Sequence, residues 1–279
     1  MGQLKVIKSG PLATIQDFGR FGHRRYGIPQ SGAMDKEMMK FVNEMVGNPD
    51  HFPVVEFALM GLRLEVLEST ALAVVGASIK LNGLSIDNRG IIAKQGDVVE
   101  ISAPEQVYAY VGVAGKIEPQ AHFGSVSTYL MAGFGGISGR SLKSGDELVS
   151  EGASLTIRDL KNIERKIESP VIIHVIKGPE WDILQDDIQE KSFEVHPSSN
   201  RMGIRLKGNK LNSNYREIAT SAVIPGTIQL PSDGQPIVLM NDCQTTGGYP
   251  RIGKVVDEDL GRLAQVRAGD NIQFKLISN

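Results

Sequence analysis

The stretch Asn241 to Gly253 concentrates groups able to do chemistry. It holds Asp242, Cys243, two adjacent hydroxyls at Thr245 and Thr246, a Gly247–Gly248 pair and Tyr249 before a proline, all behind the apolar run Pro236–Met240. Paired glycines reach φ > 0 and let backbone N–H groups approach another molecule, and a loop held between strands is a common place for binding residues. A polar hairpin with a glycine turn has the same composition, so spacing alone leaves both readings open. Two further loops are polar in the same way. One carries Gln16, Asp17, Gly19 and Arg20, with Asp35 beyond it; the other carries Ser125, Ser127 and Thr128, then Gly135-Gly136 and Arg140. Arg beside Asp and hydroxyl donors suits a small polar molecule with a carbonyl or carboxylate, which guanidinium binds in bidentate fashion. The alternative is that Asp17, Arg20 and Asp35 pin a long loop by ion pairs.

Several other chemistries are excluded. The histidines at 23, 51, 122, 174 and 196 lack metal-ligand spacing, and neither His-Glu-x-x-His, Cys-x-x-Cys nor Gly-x-Ser-x-Gly occurs. Gly112–Lys116 fails the P-loop because Ile117 stands at its hydroxyl position, and the run 133–139 fails the dinucleotide fingerprint at Ser138. Cys243 is considered as a nucleophile, but no basic neighbour in sequence lowers its pKa. A net charge of −2 and a pI of about 6.2 give no footprint for nucleic acid or an anionic membrane. The single Cys fits a reducing compartment, the N-terminus has no apolar leader core, and apolar runs such as Ala71–Val75 are too short to cross a bilayer. A cytoplasmic protein is expected.

The elements that must position these loops read as mainly β. Leu4–Lys8 alternates as a half-buried strand, and residues 14–35 read as one long loop. Met34–Gly47 is the clearest helix, with Asp35 as N-cap, Gly47-Asn48-Pro49 as the stop and its methionines in the core. From Val54 to Val113 short strands recur between glycine-rich turns, as in a sandwich or barrel. Gln95-Gly96-Asp97, Ser144-Gly145-Asp146 and Ala268-Gly269-Asp270 share one turn form. Arg158–Ser169 reads as a linker or exposed edge. Beyond it, Val175-Ile176-Lys177-Gly178-Pro179 repeats the opening Val6-Ile7-Lys8-Ser9-Gly10-Pro11, which fits two similar halves, 1–165 and 166–279. Glu180–Ile188 and Asp257–Gln265 read as helices, and Arg201–Leu206, Ala222–Leu230, Ile237–Met240 and Asn271–Ile277 as strands.

These residues carry a resemblance. Gln16–Arg20, Ser31–Asp35, Asn43 with Gly47-Asn48, Glu56, Gly124–Thr128, Gly135-Gly136 with Gly139-Arg140, Arg201–Gly203, Pro225–Gln229 and Thr245–Pro250 resemble the allophanate-hydrolase-subunit-2 family, also called the biotin-dependent carboxyltransferase or 5-oxoprolinase C-subunit family. The resemblance covers nearly the whole chain. It implies two cyclophilin-like β-barrel halves and a partner, the subunit-1 protein or B-subunit of 5-oxoprolinase; the A-subunit then completes the enzyme. Such complexes hydrolyse 5-oxo-L-proline to L-glutamate at the expense of ATP, with Mg expected and a nucleotide site that the partner can share. No biotin is expected on this chain. The same family includes a regulator that binds an inhibitor of a kinase, and carboxyltransferase-like modules acting on urea or a related amide. On the enzyme reading, Asp17, Arg20, Asp242, Thr245 and Thr246 are the candidate catalytic residues. Gln16, Asp35, Ser125, Ser127, Thr128, Arg201, Gln229, Gly247, Gly248 and Tyr249 are the candidate substrate-binding residues, with no metal ligands. Cys243 and the basic run His23-Arg24-Arg25 depart from the expected pattern.

Overall fold

The computed structural model describes residues 1–152, 154–160 and 168–277. The expected linker falls largely on 161–167, outside the described residues. The chain divides into two compact units. The first comprises 1–21 and 31–164; the second comprises 22–30 and 165–279. The architecture is mainly β, with two α-helices among the described residues.

In the first unit a seven-stranded sheet has the spatial order Lys116–Ile117, Glu147–Glu151, Gly2–Lys8, Leu62–Glu68, Val98–Ile101, Ile79–Leu81, Leu84–Ile86. A five-stranded sheet runs Thr14–Gln16, Val54–Ala58, Tyr108–Val113, Thr70–Val75, Gly90–Ala93. Alternation puts Leu4, Val6, Leu64, Val66 and Leu148 into the same core cluster as Val55, Phe57, Leu72, Val74 and Val111. Tyr108–Val113 and Thr70–Val75 are buried throughout, because helix α1 (Lys36–Met45) covers their other face. Met38, Met39, Phe41, Val42 and Met45 of α1 are buried, as the spacing predicts, and the Asp35 carboxylate caps it by accepting from Met38 N at 3.2 Å. Gly112 permits the approach: a Cβ there would lie 2.8 Å from the Val42 carbonyl.

The three Gly-Asp turns are one structure built three times. In each the glycine takes a positive φ, 88°, 90° and 93° in chain order. Asp97, Asp146 and Asp270 each accept, through the carboxylate, the N–H three residues back, at 2.7, 2.8 and 3.0 Å, and their own N–H returns to that residue's carbonyl. This doubly tied turn lets a strand begin without an orphaned donor.

The second unit is a closed barrel of Val171–Lys177, Arg251–Val255, Thr227–Gln229, Ile237–Leu239, Gly203–Gly208, Ser192–Val195 and Asn271–Leu276, closed by parallel pairing of the first with the last. The repeated Val-Ile-Lys thus ends the first strand of each unit. Three sequence expectations need correction. Residues 14–35 contain a strand, Thr14–Gln16, and a short 3-10 turn, Arg24–Tyr26. Ala222–Leu230 is broken at Pro225-Gly226, where Gly226 takes φ 88°, into Ser221–Ala222 and Thr227–Gln229. Glu180–Ile188 is two 3-10 turns, Trp181–Ile183 and Ile188–Glu190, with Leu184 extended between them. Distant partners take backbone groups a helix would use, Gln185 N donating to the Asn212 carbonyl and the Ile183 carbonyl accepting from Asn214 N, while Glu180 chelates Arg251 and Asp186 accepts from Asn212 N.

Candidate functional site

The expected residues fall into two centres, one in each unit. In the first, the strand Thr14–Gln16 delivers Asp17 against the segment 125–128. Asp17 Oδ1 accepts from Gly19 N at 2.8 Å, Ser125 Oγ at 2.6 Å and Ser127 Oγ at 2.5 Å, while Oδ2 accepts from Val126 N at 2.8 Å. Asp17 N donates back to Ser127 Oγ at 3.0 Å. Thr128 Oγ1 donates to the Ile15 carbonyl, and Gln16 Nε2 donates to Thr14 Oγ1 and the Thr128 carbonyl. Arg20 is buried, donates through Nη2 to the Ser127 carbonyl and lies 4.6 Å over the Phe134 ring. Asp17, Gln16, Arg20, Ser125, Ser127 and Thr128 are therefore one hydrogen-bonded knot whose side chains are turned to each other. A cavity of about 460 Å³ borders it.

Asp35 stands apart from this knot. It is fully buried and caps α1, and its N–H donates to Tyr110 Oη at 2.8 Å. Tyr110 donates to Glu56 Oε2 at 2.7 Å, and Met34 N donates to the same oxygen. Burial, followed by the neighbouring Glu56 and Asp35 charges, pushes the Tyr110 phenol well above its usual range and keeps it a donor.

In the second unit, Arg201 Nε and Nη2 clasp the Asp242 carboxylate at 2.7 and 3.2 Å, with both side chains mostly buried, and Asp242 N donates to the Arg201 carbonyl. This clasp fixes the start of the loop. Its other end is fixed by Arg251, which grips both Glu180 oxygens at 2.8 and 2.9 Å and holds the Glu180 carboxyl below its usual range. Between them, Thr246–Gly247 pairs with Ser221–Ala222, and Gly248 accepts from Ile218 N. Gln229 lies beneath, its Oε1 accepting from Gln244 Nε2 at 3.2 Å; a Cβ at Gly247 would come 2.5 Å from Gln229 Nε2. Thr246 and Tyr249 face solvent, and Thr245, Gly247 and Gly248 are partly exposed. A cleft of about 830 Å³ runs past Pro250, between Glu180 and Tyr215.

Sequence reasoning missed Arg24. Carried on the 22–30 segment of the second unit, it donates to the Gln244 carbonyl at 3.0 Å and the Val223 carbonyl, and reaches Cys243 Sγ at 3.8 Å. The basic run His23-Arg24-Arg25 was the available signal. Cys243 is fully buried, and burial pushes its thiol up while Arg24 opposes the shift. It packs with Val223 and Leu239 as a core residue.

The chain belongs to the family described as carboxyltransferase domain, subdomain A and B, whose model matches residues 26–276. It is 35% identical to the C-subunit of 5-oxoprolinase from Escherichia coli (strain K12), over 97% of this chain and 90% of that protein. It is also 35% identical to the C-subunit of 5-oxoprolinase from Haemophilus influenzae, over 99% of this chain and 91% of that one. Among solved structures, Kluyveromyces lactis urea carboxylase superposes with a TM-score of 0.88 at 27% identity, over 99% of this chain. The present chain spans 27% of the length of that larger polypeptide.

Proposed function

We propose that this chain is the C-subunit of an ATP-dependent 5-oxoprolinase that opens 5-oxo-L-proline to L-glutamate together with its A- and B-subunits. The observation that carries this reading is its similarity, along nearly the full length of both chains, to two proteins named as 5-oxoprolinase C-subunits. The likeness to urea carboxylase supports a second reading, a carboxyltransferase-like subunit that acts on urea or a related amide, at lower identity and over a small part of that protein.

We read the work as divided among these residues. Arg201, Asp242, Gln229 and Arg24 hold the second-unit loop from beneath, and they do so as positioning residues. In the second unit, Thr245, Thr246, Tyr249 and the Gly248 amide are the groups left able to meet a substrate, the Gly247 N–H being taken by the pairing with Ser221. Lactam hydrolysis builds negative charge on the carbonyl oxygen, and preorganised hydroxyl and amide donors stabilise it without reorganising. In the first unit, Asp17 is engaged by four donors and Arg20 is buried, so both act through the loops they hold. Among the described residues no three His, Cys, Asp or Glu side chains gather as a metal site, and Asp17, Asp242 and Glu180 already serve partners in this chain. With those three carboxylates engaged inside the chain, we propose that ATP and its magnesium are held by, or shared with, the other members of the complex.

The test is ATP-dependent glutamate release from 5-oxoproline by this chain on its own, by candidate A- and B-subunits without it, and by the mixture. Glutamate from the mixture only is the expected result. Tight association with the B-subunit, without glutamate, would turn the reading toward urea and related amides, to be assayed next.

A further inference from the structure

The cavity beside the Asp17 knot is lined by Pro119, Gln120, His122 and the run 133–139, and no acidic side chain reaches its wall. Its backbone donors are unequally employed. Gly133, Gly136 and Gly139 donate their N–H groups to the carbonyls of Tyr129, Val126 and Gly135. Gly135, Ile137 and Ser138 donate theirs to no group among the described residues. Three spare N–H groups thus fall within four residues, and the one on Gly135 belongs to a buried residue. A buried N–H without an acceptor is costly and rare, and its cost is removed when a ligand oxygen fills the place.

The backbone here is shaped as a concavity. Gly135, Gly136 and Ser138 take φ of 77°, 51° and 55°, and Phe123, close by, takes 55°. Positive φ at Ser138 and Phe123 is strain that persists only where surrounding structure imposes it, and such residues gather at ligand sites. Turns of this kind aim successive N–H groups into an anion-binding nest. The nest is rigidly seated: a Cβ on Gly135 would lie 2.0 Å from the Ser127 carbonyl oxygen, and one on Gly136 would lie 2.1 Å from Thr128 Oγ1. Those two residues belong to the knot that Asp17 ties. Phe134 supplies an apolar wall, braced by Tyr129 at 5.6 Å and by the Arg20 guanidinium behind it.

We propose that this glycine cradle binds the carboxylate of a small cyclic or aliphatic acid, its oxygens on the spare N–H groups and its carbon skeleton on Phe134. The volume of about 460 Å³ suits a metabolite of that size. The identification of the acid as 5-oxo-L-proline rests on the proposed function; the carboxylate site does not.

The test is calorimetric titration of the full chain and of two variants, Ser138→Asn and Ser138→Asp. Both replacements tolerate the left-handed backbone, and only the second sets a negative charge at the rim. The probes are 5-oxo-L-proline, 2-pyrrolidinone (the same lactam without a carboxylate), acetate and inorganic phosphate. The expected result is that 5-oxoproline binds the wild type and Ser138→Asn alike. Binding should weaken by at least about tenfold in Ser138→Asp at unchanged melting temperature, through like-charge repulsion, and 2-pyrrolidinone should bind much more weakly than 5-oxoproline. Equal binding by Ser138→Asp, equal binding of 2-pyrrolidinone, a preference for phosphate over both carboxylates, or no anion binding at millimolar concentration would each overturn the cradle. If acetate binds and is lost in Ser138→Asp while 5-oxoproline is silent, the cradle stands and the 5-oxoproline reading falls.

Discussion

Asp17→Asn separates two roles that a carboxylate in a polar, glycine-containing loop invites. The aspartate accepts four hydrogen bonds, at 2.5 to 2.8 Å, from residues 19, 125, 126 and 127. Bonds to a charged acceptor contribute about 1.5–3 kcal/mol each, against about 0.5–1.5 for neutral pairs. The amide keeps three acceptor contacts in weakened form, and its NH2 must face a donor, which costs a further ~1–3 kcal/mol. Discounted for the partial exposure of Asp17, the loss is about 3–5 kcal/mol, or roughly 6–15 °C in melting temperature at this chain size. Urea and thermal unfolding measure it directly. Because the knot seats Gly135 and Gly136, 5-oxoproline binding should fall with it, and Ser127→Ala should reproduce the effect at about half the size. A variant that melts like the wild type yet abolishes glutamate release in the assembled complex would refute this reasoning and make Asp17 a chemical base.

Neighbouring glycines should respond very differently to alanine. Gly135→Ala meets the Ser127 carbonyl, while Gly133→Ala meets nothing within 4 Å and bears only its φ of 65°; unfolding should show more than about 3 kcal/mol lost for the first and about 1–2 for the second. Cys243 should resist a thiol-specific reagent in the native protein and react on denaturation, since burial both hides its thiol and raises its pKa; rapid native labelling would contradict its place in the core. Acid should destabilise from a defined onset. Arg140 lowers the Asp146 pKa and Arg251 lowers that of Glu180, from ordinary values of 3.8 and 4.5, while Lys191 and Asn212 hold Asp186 at about 2. Depressed folded pKa values contribute stability above the unfolded values that is lost as pH falls through the folded ones. Melting temperature should therefore be flat with respect to these groups down to about pH 5 and decline below about 4.5, and Arg251→Ala should shallow that decline.

Much of the fold was legible because its causes are local. Helix α1 announces itself through Met38, Phe41, Val42 and Met45 at helical spacing between an Asp cap and a Gly-Asn-Pro stop, and the structure uses each of those signals. The Gly-Asp turns are legible for the same reason, since each hydrogen bond spans three residues. Glu180–Ile188 has an equally good helical pattern, yet its acidic groups are claimed by Arg251 and Asn212, and no window of neighbouring residues contains that information.

The site was half legible, and the missing half has one physical origin. The motif residues gather in polar clusters, but whether a polar residue meets a substrate or meets the protein depends on partners far away in sequence. Asp17 finds three of its four donors 108 to 110 residues on, and Arg24 finds Cys243 219 residues on. Arg, Asp and Gln look like catalysts, but a strongly polar side chain entering a core takes partners there, and in the first unit Asp17, Gln16 and Arg20 are bound into the scaffold. Along the cavity wall the unengaged donors are backbone: the N–H groups of Gly135, Ile137 and Ser138, in a run that sequence comparison with a dinucleotide fingerprint would discard at Ser138. A recognition surface made of main chain is written only as glycine spacing and φ sign, and the second of these is invisible until the chain is folded.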